Sequence, residues 1–200
     1  EITARDKVDA MLDRIRNPAL RRVYSTGLPV LDRPLDGGLC PGWLVVILAA
    51  PKQGKTVLAT NNLGRAIMRA GEPLLYIGEM AEEELMARWL ACESGVPLRG
   101  QRKGDLSGLQ WSAAVNAADT MARWTWGVRP ISSLAAIERD ARAFRAKHGR
   151  IGMLVVDYVQ LVRNGIDNLV QDLEHTTRGL KLLAAELDCV VVMVSQPDKA

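Results

Sequence analysis

Apolar residues recur in two rhythms along this chain. Unbroken runs stand at 43–48, 74–77, 151–156 and 189–194. Each is strand-sized, and an unbroken run marks a strand buried on both faces. Between them, residues 55–70, 81–94, 107–122, 132–148 and 169–187 carry helical spacing, the last with Leu173, Leu180, Leu183 and Leu187 on one side. Gly71 with Pro73, and Gly95 with Pro97, stop two of these helices. Arg123–Val128 alternates with period two and is predicted as a strand, with Trp124 and Trp126 on one core-facing side. Strand–helix alternation predicts an α/β fold, a mostly parallel sheet with helices on both faces.

Before the first strand the pattern differs. Residues 4–17 carry Val8, Met11, Leu12 and Ile15 as one stripe, with charges on the other face, so an amphipathic helix is expected, ended by Asn17-Pro18. The stripe needs a partner, and the pattern leaves its own domain and a neighbouring subunit equally open. Ser25–Asp32 and Gly37–Gly42 bracket a turn. Residues 98–105, with Arg99, Arg102, Lys103 and Asp105, read as a solvated loop. Arg139, Arg142, Arg145, Lys147 and Arg150 read as a solvated basic face.

Composition narrows the picture little. Two hundred residues with 48% hydrophobic and 24% charged content fit one soluble domain with a short appendage. A net charge of +3 is mildly basic and tolerates a polyanionic partner without requiring one. Cys40, Cys92 and Cys189 are scattered and odd in number, which predicts a reducing, cytoplasmic setting with neither disulfide nor zinc. No run has transmembrane length and no signal peptide opens the chain, so no membrane is expected. The start lacks Met and the stop follows a strand closely, so the chain is read as truncated at its C-terminus. His148 and His175 lack a ligand partner at metal-binding spacing.

Candidate chemistry begins where the first apolar run ends. Ala49-Ala-Pro-Lys-Gln-Gly-Lys-Thr56 fits a phosphate-binding loop whose first Gly is replaced by Ala49. Such a loop curls backbone N–H groups around a polyphosphate at a helix N-terminus. The nucleotide set is Pro51, Lys52, Gln53, Gly54, Lys55, Thr56 and Val57. Lys55 is expected to neutralise β/γ oxygens and Thr56 to give its hydroxyl to Mg²⁺. In an open α/β sheet, ligands bind beyond the carboxyl ends of the strands. Three further strands end there in Glu79, Asp157 and Gln196. The expected roles are Asp157 for Mg²⁺, Glu79 to polarise the attacking water, and Gln196 to feel the γ-phosphate.

These pieces resemble the ATPase domain of DnaB-family replicative helicases, which have a RecA-like fold. The resemblance rests on Thr26-Gly27 with Leu31-Asp32, the loop from Ala49 to Thr56, and Gly78-Glu79-Met80. It continues through Val156-Asp157-Tyr158-Val159-Gln160-Leu161, Leu180-Lys181-Leu182-Leu183-Ala184 with Glu186-Leu187, and Ser195-Gln196. Ala at the first loop position also resembles this family. The Glu-Met and Asp-Tyr-x-Gln-Leu pieces set it apart from the related RadA and KaiC groups.

The resemblance implies a RecA-like P-loop domain at 25–200, preceded by a linker helix and connector at 1–24 that docks on the next subunit. It implies a homo-hexamer that hydrolyses ATP with Mg²⁺ at subunit interfaces and moves along single-stranded DNA during replication, with primase or a helicase loader as further partners. It assigns Lys55, Glu79 and Gln196 to catalysis, Gln196 coupling γ-phosphate to DNA contacts, and Thr56 and Asp157 to the metal. Channel loops are expected at Arg163–Asn168, where Arg163 is the one cation, and from Pro197-Asp198-Lys199 onward. Family members carry a trans-acting arginine finger and further sheet beyond the Ser-Gln strand, so a fragment ending at Ala200 is expected to hydrolyse weakly. The rival readings are a RecA-like ATPase of repair or regulation, a nucleotide-switched loading module without unwinding, and a small-molecule kinase; the last is opposed by the Ser-Gln strand and the lack of a lid.

Overall fold

The computed structural model describes residues 3–17 and 22–197. Helix α1 (Ala4–Arg16) opens on a capping box: the Thr3 hydroxyl accepts the Asp6 N–H, and the Asp6 carboxylate takes the Thr3 N–H. Its stripe stays in solvent, with Val8 54%, Met11 61%, Leu12 43% and Ile15 64% exposed, so it is not packed against the described residues of its own domain. Asn17 caps the helix; Pro18, expected to help end it, lies outside the described residues.

The connector is held by one carboxylate. Asp32, at the end of α2 (Pro29–Asp32), accepts from the Ser25 hydroxyl at 2.6 Å and from the Thr26 hydroxyl and N–H at 2.6 and 2.8 Å. The paired pieces Thr26-Gly27 and Leu31-Asp32 are therefore a folded turn.

Among the described residues five strands follow: β1 (Leu44–Leu48), β2 (Leu74–Gly78), β3 (Trp126–Pro130), β4 (Met153–Asp157) and β5 (Val190–Ser195). All pair in parallel, in the order β1-β5-β4-β2-β3. The expected parallel sheet is present. Alternate side chains leave it on opposite faces. Leu75, Ile77, Leu154, Val156, Val191 and Met193 pack against α7 (Leu134–His148) and α8 (Leu169–Leu187). Leu74, Tyr76, Met153, Val155, Val192 and Val194 pack on the other face. There they meet the helix after the loop, α4 (Glu82–Ser94) and the end of α6 (Gly108–Met121). The first of these helices begins at Lys55, is π-helical over Val57–Gly64 and ends as α3 (Arg65–Arg69). Among the described residues β1 pairs only with β5, and on the sheet face of Leu44 its Val46 and Leu48 are exposed, so the run 43–48 is not the strand buried on both faces that its pattern predicts.

Two expectations need correction. Residues 98–105 are mostly a short helix, α5 (Leu98–Lys103), started after Pro97 and stopped by Gly104 at φ 66°. Strand β3 begins at Trp126, because Leu74 of β2 sets its register there; Trp124 precedes it. Both tryptophans are still core-facing: their rings lie 6.4 and 5.7 Å from that of Trp89, edge to face. The basic face of α7 is largely paired, with Arg142 forked onto Glu186 at 2.8 and 2.9 Å and Arg139 on Asp140.

Candidate nucleotide-binding site

The loop after β1 has the conformation a phosphate cradle needs. Gly54 has φ 81° and Lys52 φ 64°, so the chain turns left-handed twice within three residues. Ala49 is not among the positive-φ residues, which is why a Cβ is tolerated at that position. Lys55 is 7% exposed, and its ammonium folds back across the loop to the carbonyls of Ala49 and Ala50 at 2.7 and 2.8 Å. A buried cation is thus paired from within the loop.

Register brings the other candidates to the same rim. Leu48 pairs with Ser195 and Gly78 pairs with Asp157, so four strands end at one level. Lys55, Thr56, Glu79, Asp157 and Gln196 all line a single cleft of about 410 Å³. Lys52, Gly54 and Val57 of the expected nucleotide set line it too; Pro51 and Gln53 are exposed on the loop and do not.

Asp157 is 6% exposed and accepts the Tyr76 hydroxyl on Oδ2 at 3.2 Å. Burial, and then the negative charge of Asp157, push the Tyr76 phenol well above its ordinary pKa, so it stays a donor. The phenol folds over Gly78, two residues along on the same face. A Cβ at Gly78 would collide with the Tyr76 hydroxyl, and would stand 2.6 Å from the Asp157 carbonyl. The Asp157–Tyr158 peptide bond is cis.

Two lining residues carry no signal of their role in the local sequence pattern. Tyr76 looks like one more apolar strand position. Arg88 looks like a polar position on α4, yet it lines the cleft, donating to Glu84 at 2.7 Å, while its Nε is buried without a partner.

The donor set tests the metal. Among the described residues no group of three or more His, Cys, Asp or Glu side chains is arranged to hold an ion. One hydroxyl and one carboxylate, Thr56 and Asp157, fit an ion that arrives with phosphate oxygens and keeps water, as Mg²⁺ does.

A parallel sheet with a phosphate loop after its first strand, and acids at the ends of β2 and β4, defines a RecA-like P-loop fold. Residues 24–200 match the family model described as DnaB-like helicase C terminal domain, and the chain belongs to that family. It is 31% identical over 199 residues to the replicative DNA helicase DnaB of Leifsonia xyli subsp. xyli, covering 96% of this chain and 43% of that protein. It is 33% identical over 179 residues to the DnaB of Pasteurella multocida, covering 86% of this chain and 38% of that one. The chain therefore spans about two fifths of these relatives. Among solved structures, a DnaB-like replicative helicase, solved for its interactions with primase, superposes with a TM-score of 0.82 at 20% identity, over 98% of this chain and 48% of that one. A second solved chain, described as an ATPase domain, gives 0.87 at 20% identity, over 98% and 72%. These two show the shared fold. Among the described residues no helix is long and apolar enough to cross a membrane.

Proposed function

We propose that this domain is the ATP-hydrolysing motor of a replicative DNA helicase, driving translocation on single-stranded DNA. The observation that carries the reading is the convergence of Lys55, Thr56, Glu79, Asp157 and Gln196 on one cleft from four different elements. Lys55 neutralises the β/γ-phosphate oxygens and the loop amides cradle them. Thr56 and Asp157 hold Mg²⁺, which supplies charge neutralisation when bound with ATP. Glu79, exposed at the rim, orients and polarises the attacking water. Gln196 contacts the γ-phosphate. The exposed stripe of α1 favours docking on the next subunit of a homo-hexameric ring. Primase or a loader are further partners in this reading. Arg163, exposed after β4, is the cation offered to the DNA backbone.

Two substitutions test it in the full, assembled protein. Glu79→Gln is expected to bind ATP at the parental affinity and to turn it over at least about a hundredfold more slowly. Lys55→Ala is expected to lose nucleotide binding. A parental turnover rate in Glu79→Gln removes that residue from the mechanism. Turnover insensitive to single-stranded DNA at every salt concentration rejects the motor, because backbone contacts release counterions and must weaken with salt.

A further inference from the structure

Gln160 sits in the one-turn segment Val159–Leu161, immediately beyond β4. Its side-chain amide pairs with the backbone of Gln196 in both directions. Nε2 donates to the Gln196 carbonyl at 2.6 Å, and Oε1 accepts the Gln196 N–H at 3.3 Å. The same Nε2 donates to the Ser195 hydroxyl at 2.9 Å. This two-way pairing fixes which amide atom is nitrogen. It also does what a neighbouring strand would do, adding a rung to the β4–β5 ladder by means of a side chain.

The other side of Gln160 faces Arg163. The Arg163 guanidinium folds back and donates to the Gln160 carbonyl at 2.6 Å and to that of Val162 at 3.3 Å. Gln196 is therefore joined to Arg163 by way of one residue. The cavities match this chain of bonds. Gln196 walls both the nucleotide cleft and an adjoining groove of about 500 Å³, whereas Gln160 and Arg163 line only the groove.

The geometry points to Gln160 as the positioning residue that couples nucleotide occupancy at Gln196 to the nucleic-acid contact at Arg163. The inference rests on the motor reading above. A Gln196 drawn toward a bound phosphate takes its backbone with it. The paired amide either follows, shifting the turn whose carbonyl holds Arg163, or lets go. When it follows, the guanidinium loses the carbonyl that holds it. Coupling of this kind is reciprocal: whatever factor nucleotide applies to DNA affinity, DNA applies to nucleotide affinity.

The test is a binding measurement on the full, assembled protein. Affinity for a labelled single-stranded oligonucleotide is read with and without a non-hydrolysable ATP analogue and Mg²⁺. In the unsubstituted protein the analogue is expected to change that affinity about fivefold or more. In Gln160→Met, which keeps the side-chain volume, and in Gln160→Glu, which can no longer donate to the Gln196 carbonyl, the ratio is expected to fall to about one. The analogue alone still binds and the melting temperature holds. A parental ratio in both variants overturns the assignment and leaves the motor reading standing. An equal fall in stability and in both affinities also overturns it, since that is the mark of a packing residue. No coupling in the unsubstituted protein overturns the inference together with the motor reading.

Discussion

Gly78 shows how one missing Cβ serves a site. It lets the Tyr76 phenol lie across the strand and reach Asp157, which keeps a buried carboxylate partnered on one oxygen. Gly78→Ala is expected to cost about 1–3 kcal/mol of stability, the usual result of forcing an extra carbon into a packed region. Urea unfolding measures this, and adding Tyr76→Phe is expected to recover part of the loss by removing the hydroxyl that the Cβ meets. If the double variant is no more stable than the single, the phenol is not what Gly78 accommodates. The loop residues were legible in sequence because their chemistry is contiguous: a phosphate cradle is built from neighbours. Tyr76 and Asp157 are 81 positions apart, and Gln160 and Gln196 are 36 apart. Nothing local announces those partnerships. Glu79 and Asp157 were readable only because a strand end is itself a position in space.

At the level of elements, burial patterns guided three of the four unbroken runs, the fourth (β1) being exposed at Val46 and Leu48, and short charged segments were a poor guide. The runs at 74–77 and 151–156 became β2 and β4, buried throughout. The segment 98–105 looked like solvated loop because it is basic, yet Pro97 and Gly104 bound a short helix there. Charge reports solvent exposure, and an exposed helix and an exposed loop share it. The connector carries a pH prediction. Burial pushes the Asp32 carboxyl up, but hydrogen bonds from Ser25 and Thr26 outweigh it and hold the group below the ordinary carboxylate range. A depressed folded pKa gives stability that is present above the unfolded value, about 3.9, and is lost as pH falls through the folded one. Asp32→Asn is expected to lower the melting temperature at neutral pH and to flatten the acid limb below about pH 4. Superimposable acid limbs would mean the Ser25–Asp32 turn does not contribute in this way.

For the whole molecule, the main question is what the exposed stripe of α1 meets. A helix with four apolar residues in solvent gains stability only by covering them. Leu12→Asp with Ile15→Asp is expected to leave the unfolding transition of the core unchanged and to shift the assembly toward smaller species by light scattering. An unaltered assembly would free α1 from the docking role proposed above. The architecture itself was legible, since alternation of strand and helix leaves few topologies. The strand order β1-β5-β4-β2-β3 was not, because no local signal names a neighbour.

The grip of Lys55 on Ala49 and Ala50 also bears on how a polyphosphate comes and goes. An arriving anion swaps places with two carbonyls that already satisfy the ammonium, so its net gain is the difference between two good partners. When the product departs, those carbonyls take the ammonium back and no stranded charge holds the door shut. Under the motor reading proposed above, a loop that takes its cation back suits a site that must empty on every cycle.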